Sequence, residues 1–288
     1  MRLAGEGMSV VLVGREWPRL RAARERIRAA VPNADLALQR ADLAQLGQVR
    51  ALAERLIAAH LPDVLVSNAA VVTALGRRTV EGLPRVLVVN HLAPYVLLRL
   101  LAEALGGRRA RFVVVGADPT SLARAPVDLD DLLLAHPERL GEPVELRPFR
   151  AYGRTKNMNT MFVFALARRL AGTRITVNGA HPGIIGGTGL ASELPGLAAL
   201  VAETYRLDPN VLPGPDTGAD TPAWLATSPD VEGVSGRFFV GRKPVETAPH
   251  TTDVERCDRL WDESARLAGL PASIRPQEAR SDTSGPSA

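Results

Sequence analysis

Tyr152 and Lys156 stand four residues apart in Arg150-Ala151-Tyr152-Gly153-Arg154-Thr155-Lys156. On a helix that spacing places a phenol and an ammonium on one face. Held together, the two groups can move a proton at a carbonyl or alcohol oxygen. Lysine is rare here: Lys156 and Lys243 are the only two, and 33 of the 35 basic residues are arginine. With three tyrosines and two lysines in 288 residues, a coincidental Tyr-x-x-x-Lys is expected roughly 2% of the time. Arginine does not replace lysine where a compact, rotatable point charge is needed. The competing reading, an ordinary aromatic–lysine pair on a helix surface, is therefore the weaker one.

The bulk numbers narrow the setting. Hydrophobic residues make up 46% of the chain, ample for a buried core. No uninterrupted apolar stretch approaches the ~18 residues of a membrane span, and the first residues carry no signal-peptide pattern. No membrane partner is expected. Cys257 is the single cysteine, which excludes an internal disulfide and a cysteine-based zinc cluster. A reducing, cytoplasmic setting is the default expectation. The net charge is only +4. The run Arg19, Arg21, Arg24, Arg26, Arg28, with Glu25 interleaved, reads as a solvated helix face. Aromatics do not interleave with it, so no nucleic-acid partner is expected.

Short β-branched runs alternate with helical periods along the chain. Strands are expected at 9–13, 35–40, 63–66, 111–115, 175–178 and 238–240. Helices are expected from Pro18 to about Ala30, Leu46 to His60, 83 to 105, through Tyr152 and Lys156 to about Ala171, and over roughly 252–268. This alternation predicts an α/β fold, a Rossmann-like doubly wound parallel sheet in three α/β/α layers. Residues 1–270 form one domain in this reading. Residues 271–288, dominated by Pro, Ser, Arg and Gly, are expected to be a disordered tail.

Six pieces in order carry a family resemblance: Val13-Gly14-Arg15, Ala41-Asp42-Leu43, Ser67-Asn68-Ala69-Ala70, Val89-Asn90-His91-Leu92, Tyr152-x-x-x-Lys156 and His181-Pro182-Gly183. Together with Arg259-Leu260-Trp261-Asp262-Glu263-Ser264, they make the chain resemble the short-chain dehydrogenase/reductase superfamily. The nearest branch is the retinol-dehydrogenase and WW-domain-oxidoreductase group. The resemblance implies Tyr152 as general acid/base beside a nicotinamide, NADP or NAD. A free phenol titrates near ~10, so the neighbouring Lys156 charge would favour phenolate. Lys156 would also hold the cofactor ribose, and Asn90 would order a water linking Lys156 to solvent. Asn68 and Ala69, at a strand's C-terminal end, and Pro182 and Gly183 would line the cofactor site. Asp42 would contact the adenine, or else be an ordinary helix N-cap. Arg15 would meet the 2′-phosphate of NADP, or else be a surface arginine. No other His or carboxylate stands at ligand spacing beside His181, so no metal is expected.

Two departures from the family pattern stand out. Residues 9–13 lead into Gly14-Arg15-Glu16-Trp17-Pro18, with no glycine-rich phosphate loop. By its spacing from Ala41-Asp42-Leu43, the 9–13 strand matches the family's second, so the first strand and helix are expected to be lacking. Two inner strand edges would then be unpaired, and cofactor binding is in question. Three explanations stay open: a protein beginning upstream of Met1, which is favoured; a rearranged sheet; or a chain without cofactor. The second departure is Ala117, which falls where the family places its serine, with Thr120 and Ser121 as possible substitutes.

The reading is thus an NAD(P)-dependent oxidoreductase interconverting a carbonyl and an alcohol. The alternatives are non-redox chemistry, such as dehydration or cyclisation, and a cofactor-free binding protein. Leu190, Leu194, Leu197 and Leu200, in a lid region over 184–222, fit a small hydrophobic substrate, or simple packing. Homo-oligomers follow by family analogy.

Overall fold

The computed structural model describes residues 1–118 and 125–274. A short α1 (Arg2–Gly5) precedes β1 (Val10–Gly14), α2 (Trp17–Ala30), β2 (Leu36–Arg40), α3 (Leu46–Ala59) and β3 (Val64–Ser67). A continuous helical run follows: α4 (Arg85–Leu87), a π turn (Val88–Leu92) and α5 (Ala93–Leu105). Then come β4 (Ala110–Val115), α6 (Arg147–Arg169), β5 (Ile175–His181), α7 (Leu197–Thr204), α8 (Pro215–Gly218) and α9 (Asp220–Thr227). The chain closes with β6 (Arg237–Val240), β7 (Lys243–Val245), α10 (Pro249–Thr252) and α11 (Val254–Ala268).

All six expected strands form. β5 runs three residues further than the β-branched run suggests, to His181, because it pairs with both β4 and β6. β7 is additional, turning back antiparallel on β6. β3, β4, β5 and β6 are parallel and in spatial sequence order. β1 pairs only with β2, also parallel, so the described strands fall into a two-stranded and a five-stranded sheet. Val11 and Val13 of β1 are each 42% exposed, unlike the fully buried Val113 and Val114 of β4.

The main core lies on one face of the larger sheet. Phe112 and Val114 of β4 and Ile175 and Val177 of β5 meet α3, α5, α6 and α11 there. Strand alternation sends Val113 and Ala180 to the other face, against Leu225 of α9 and Phe239. By length and hydropathy the run Arg85–Leu105 would suffice to cross a membrane. Asn90, His91 and Arg99 interrupt it, which hides that property from a search for unbroken apolar residues. In the fold, 83% of its most apolar window is buried.

α11 begins with Asp253, whose carboxylate accepts from the Arg256 N–H at 2.9 Å, and ends at Gly269 in the left-handed region. The chain stays on the core past residue 270, where the expected tail begins. Trp261 Nε1 donates to the Ala272 carbonyl at 2.6 Å, and Arg99 Nη2 to that of Ser273 at 2.9 Å. Ile274 packs against the core. The rest of that expected tail, 275–288, lies outside the described residues, as do Thr120 and Ser121.

Candidate active site

α6 delivers Tyr152 and Lys156 to the C-terminal end of β4. Lys156 Nζ donates to the Val115 carbonyl at 2.8 Å and lies 5.6 Å from the centre of the Tyr152 ring. The two groups share a helix face, as the spacing predicts. Phe149, one turn earlier, stacks on the Tyr152 ring with centres 5.7 Å apart. Leu197 of α7, with Leu190, Leu194 and Leu200, packs in the same cluster as Val72, Val86 and Tyr152. Tyr152 shares this apolar cluster and is only 8% exposed.

Burial sets the protonation of the pair. Desolvation pushes the Tyr152 phenol up to about 12 and the Lys156 ammonium down to about 8. A cation holding the phenol as phenolate was the sequence expectation. In this closed arrangement burial outweighs it, and the phenol keeps its proton. That form serves as a general acid.

Asn90 does not touch Lys156 directly. Its Oδ1 accepts from the Val71 N–H at 2.8 Å, and its Nδ2 donates to the Val71 carbonyl at 2.9 Å and to Thr155 Oγ1 at 3.0 Å. Thr155 Oγ1 in turn donates to the Tyr152 carbonyl at 2.7 Å. Asn90 thus staples the loop after β3 to the helical turn between Tyr152 and Lys156. The π turn that carries it is braced from behind. Asn159 Nδ2 donates to the Asn90 carbonyl at 2.8 Å, and His91 bridges Asn159 Oδ1 (3.1 Å) and Ser264 Oγ (2.8 Å).

The expected cofactor residues gather along the C-terminal edges of the strands. Arg15 follows β1, Asn68 and Ala69 follow β3 and are exposed, and Pro182 and Gly183 follow β5. Gly183 turns the chain with φ +90°. Asp42 caps no helix, since α3 begins at Leu46 after Gln45; its Oδ1 instead accepts from the Ala44 N–H at 3.0 Å in a local turn. A cleft of about 400 Å³ is lined by Arg15, Thr73, Ala74, Arg77, Arg85 and Glu193. Arg85 Nη1 grips Glu193 at 2.7 and 3.0 Å, and Thr73 Oγ1 donates to the same carboxylate at 3.2 Å. These contacts hold the Glu193 carboxyl below its ordinary range, although its own desolvation opposes them, with Arg15 adding to the pull. A second cavity, about 730 Å³, lies elsewhere, around Arg109, Arg111, Arg168 and Glu232, and includes none of these residues.

Arg77, Arg85, Thr73 and Glu193 carry no motif and were not singled out by sequence. Their convergence depends on a lid folding back over the loop after β3, which no local spacing reveals. At the usual serine position, Ala117 is 9% exposed. Its neighbour Gly116 has no room for a side chain, since a Cβ there would come within 2.8 Å of the Phe238 ring.

No family model matches the chain. Dehydrogenase/reductase SDR family member 13 of Bos taurus is 35% identical over 273 residues, covering 94% of this chain and 69% of the relative. Retinol dehydrogenase 13 of Homo sapiens is 31% identical, covering 96% of this chain and 82% of the relative. Among solved structures, a short chain dehydrogenase from Burkholderia cenocepacia in complex with NADP superposes with a TM-score of 0.59. It is 23% identical and covers 83% of this chain and 88% of its own; at that identity the likeness shows the fold.

Proposed function

The chain belongs to the short-chain dehydrogenase/reductase family, and we propose that it is an NADP(H)-dependent oxidoreductase interconverting a carbonyl and an alcohol on a small apolar substrate. The observation that carries this reading is the Tyr152–Lys156 pair at the end of β4, beneath an apolar lid. NADP suits the donor set on the page. Arg15, Arg77 and Arg85 line one cleft with a single carboxylate, Glu193, leaving positive charge to meet a phosphate ester. No residue is assigned to the pyrophosphate.

A bound nicotinamide supplies the hydride. The chain's residues do the rest. Tyr152, kept protonated by burial, gives its proton to the carbonyl oxygen in reduction. Lys156, at the Val115 carbonyl, holds the ribose hydroxyls and recharges the phenol. Asn90 fixes the turn between them through Thr155. Asn68, Ala69, Pro182 and Gly183 form the floor at the strand ends. Leu190, Leu194, Leu197 and Leu200 give an apolar substrate its surroundings and exclude water.

Tyr152→Phe removes only the hydroxyl. With NADPH and a panel of apolar aldehydes and ketones, turnover is expected to fall about 10³-fold while NADPH affinity by fluorescence is unchanged. Undiminished turnover would sink the assignment. Ala117, which offers no hydroxyl to a substrate oxygen, favours a second reading: the same proton machinery running a non-redox step. Tight NADPH binding with no oxidation of NADPH by any carbonyl tested would favour it.

A further inference from the structure

The end of β4 offers a substrate oxygen no side-chain donor at either of its two residues. Gly116 is filled from outside by the Phe238 ring, and Ala117 carries only a methyl. The adjacent strand does offer one. β5 pairs with β4 in register, Ala180 opposite Val115, and the Gly116 N–H donates to the Ala180 carbonyl at 2.7 Å. The next residue of β5, His181, therefore stands beside Gly116 at the same edge.

Alternation decides which face it takes. Ile175 and Val177 of β5 pack into the core formed with Met158, Met161 and Phe162 of α6. Counting by twos, Gly179 and His181 share that face, the face carrying Tyr152 and Lys156. Two further facts place the ring in the site. His181 interacts electrostatically with both Lys156 and Asp118, and its Nδ1 is buried with no hydrogen-bond partner. A buried, unpartnered ring nitrogen costs folding free energy and calls for a reason. The ring is only partly buried as a whole, which leaves an approach for substrate.

Resting on the carbonyl/alcohol reading above, we propose that His181 is a catalytic residue whose imidazole N–H donates a hydrogen bond to the substrate oxygen. It takes the place of a hydroxyl at the end of β4. No proton is transferred from His181. In reduction the hydride goes to the carbonyl carbon, the C=O π pair moves to oxygen, and the proton on that oxygen comes from Tyr152. His181 stabilises the oxygen's developing negative charge, the role of an oxyanion donor. The Asp118 carboxylate and the Lys156 ammonium both act electrostatically on the ring.

The test compares His181→Gln, which keeps an N–H donor, with His181→Leu, which keeps bulk and loses the donor. His181→Met serves in place of the leucine variant should that fail to fold. All are assayed beside wild type and Tyr152→Phe, with NADPH and the best-used member of the apolar carbonyl panel. His181→Leu is expected to lower kcat about 10²-fold, with the NADPH Kd by fluorescence unchanged, and His181→Gln to recover at least tenfold of that loss. A kcat for His181→Leu within threefold of wild type would overturn the proposal. So would equal losses in the leucine (or methionine) and glutamine variants, which would mark a packing role. Should Tyr152→Phe abolish turnover while His181→Leu does not, this inference alone fails. A wild-type chain that turns over no member of the panel takes both readings down.

Discussion

The Lys156 ammonium exchanges its hydration shell for a neutral carbonyl at 2.8 Å, and burial lowers its pKa from 10.5 to about 8. The folded chain thus sheds that proton before the unfolded chain does. Between pH 8 and 10.5 the unfolded state binds more protons, so stability rises with pH across that window. At neutral pH the full penalty, about 3 kcal/mol, is present. Lys156→Met is expected to raise Tm at pH 7 by roughly 5 °C. It should also flatten the rise between pH 8 and 10.5 and abolish turnover; calorimetry and the NADPH assay read both. An unchanged Tm would mean the ammonium is not desolvated as described. The pairing of Tyr152 with Lys156 was legible in sequence because a four-residue spacing on a helix is local geometry. The protonated phenol was not. It comes from burial in an apolar cluster that includes Leu197, and nothing near Tyr152 in sequence announces that partner.

Among the elements, the π turn Val88–Leu92 depends on a polar chain that also fixes a tautomer. Asn159 spends its N–H on the Asn90 carbonyl, so its Oδ1 faces His91 Nδ1, which must carry the ring proton. His91 Nε2 lies 2.8 Å from Ser264 Oγ, whose hydroxyl also reaches the Leu260 carbonyl at 2.7 Å. The ring is fully enclosed, and burial drives its pKa from 6.5 to about 4 against the Asn159 hydrogen bond. As pH falls from 6.5 to 4 the unfolded chain takes up this proton and the folded chain does not, so stability is lost over that interval. In His91→Phe the pH dependence of the denaturation midpoint between 4 and 6.5 should shrink. An unaltered slope would mean other groups cause it. The ring would suit its neighbours, since Tyr95 and Phe162 already lie about it at 6.1 Å. Sequence periodicity found the helical run and placed Asn90 on it. It missed the π turn because one extra residue in a turn leaves no compositional mark. Asn90 accordingly turned out to bind Val71 and Thr155, a pairing across the fold.

At the scale of the whole molecule, strand positions and the alternating order were readable because buried parallel strands are short β-branched runs bounded by helical periods. Among the described strands, β1 and β2 form a two-stranded sheet of their own beside the five-stranded one. The path of residues 184–214 was not readable, since Gly-, Pro- and Leu-rich sequence fits many courses. That lid has a use in the laboratory. The three tyrosines sit at three depths: Tyr205 is 39% exposed, Tyr152 is 8% exposed in the cluster it shares with the lid leucines, and Tyr95 is wholly enclosed between Phe162 and Trp261. A phenol-nitrating reagent, followed by peptide mass spectrometry, should label Tyr205 first and Tyr95 only at the rate of global unfolding. Tyr152 should label at an intermediate rate that Glu193→Gln quickens, because the Arg85 grip on the lid is then weaker. Equal labelling of Tyr152 and Tyr205 would mean that the cover is not closed in solution. The chain carries its own three-handed clock, and the middle hand counts how often the site is open.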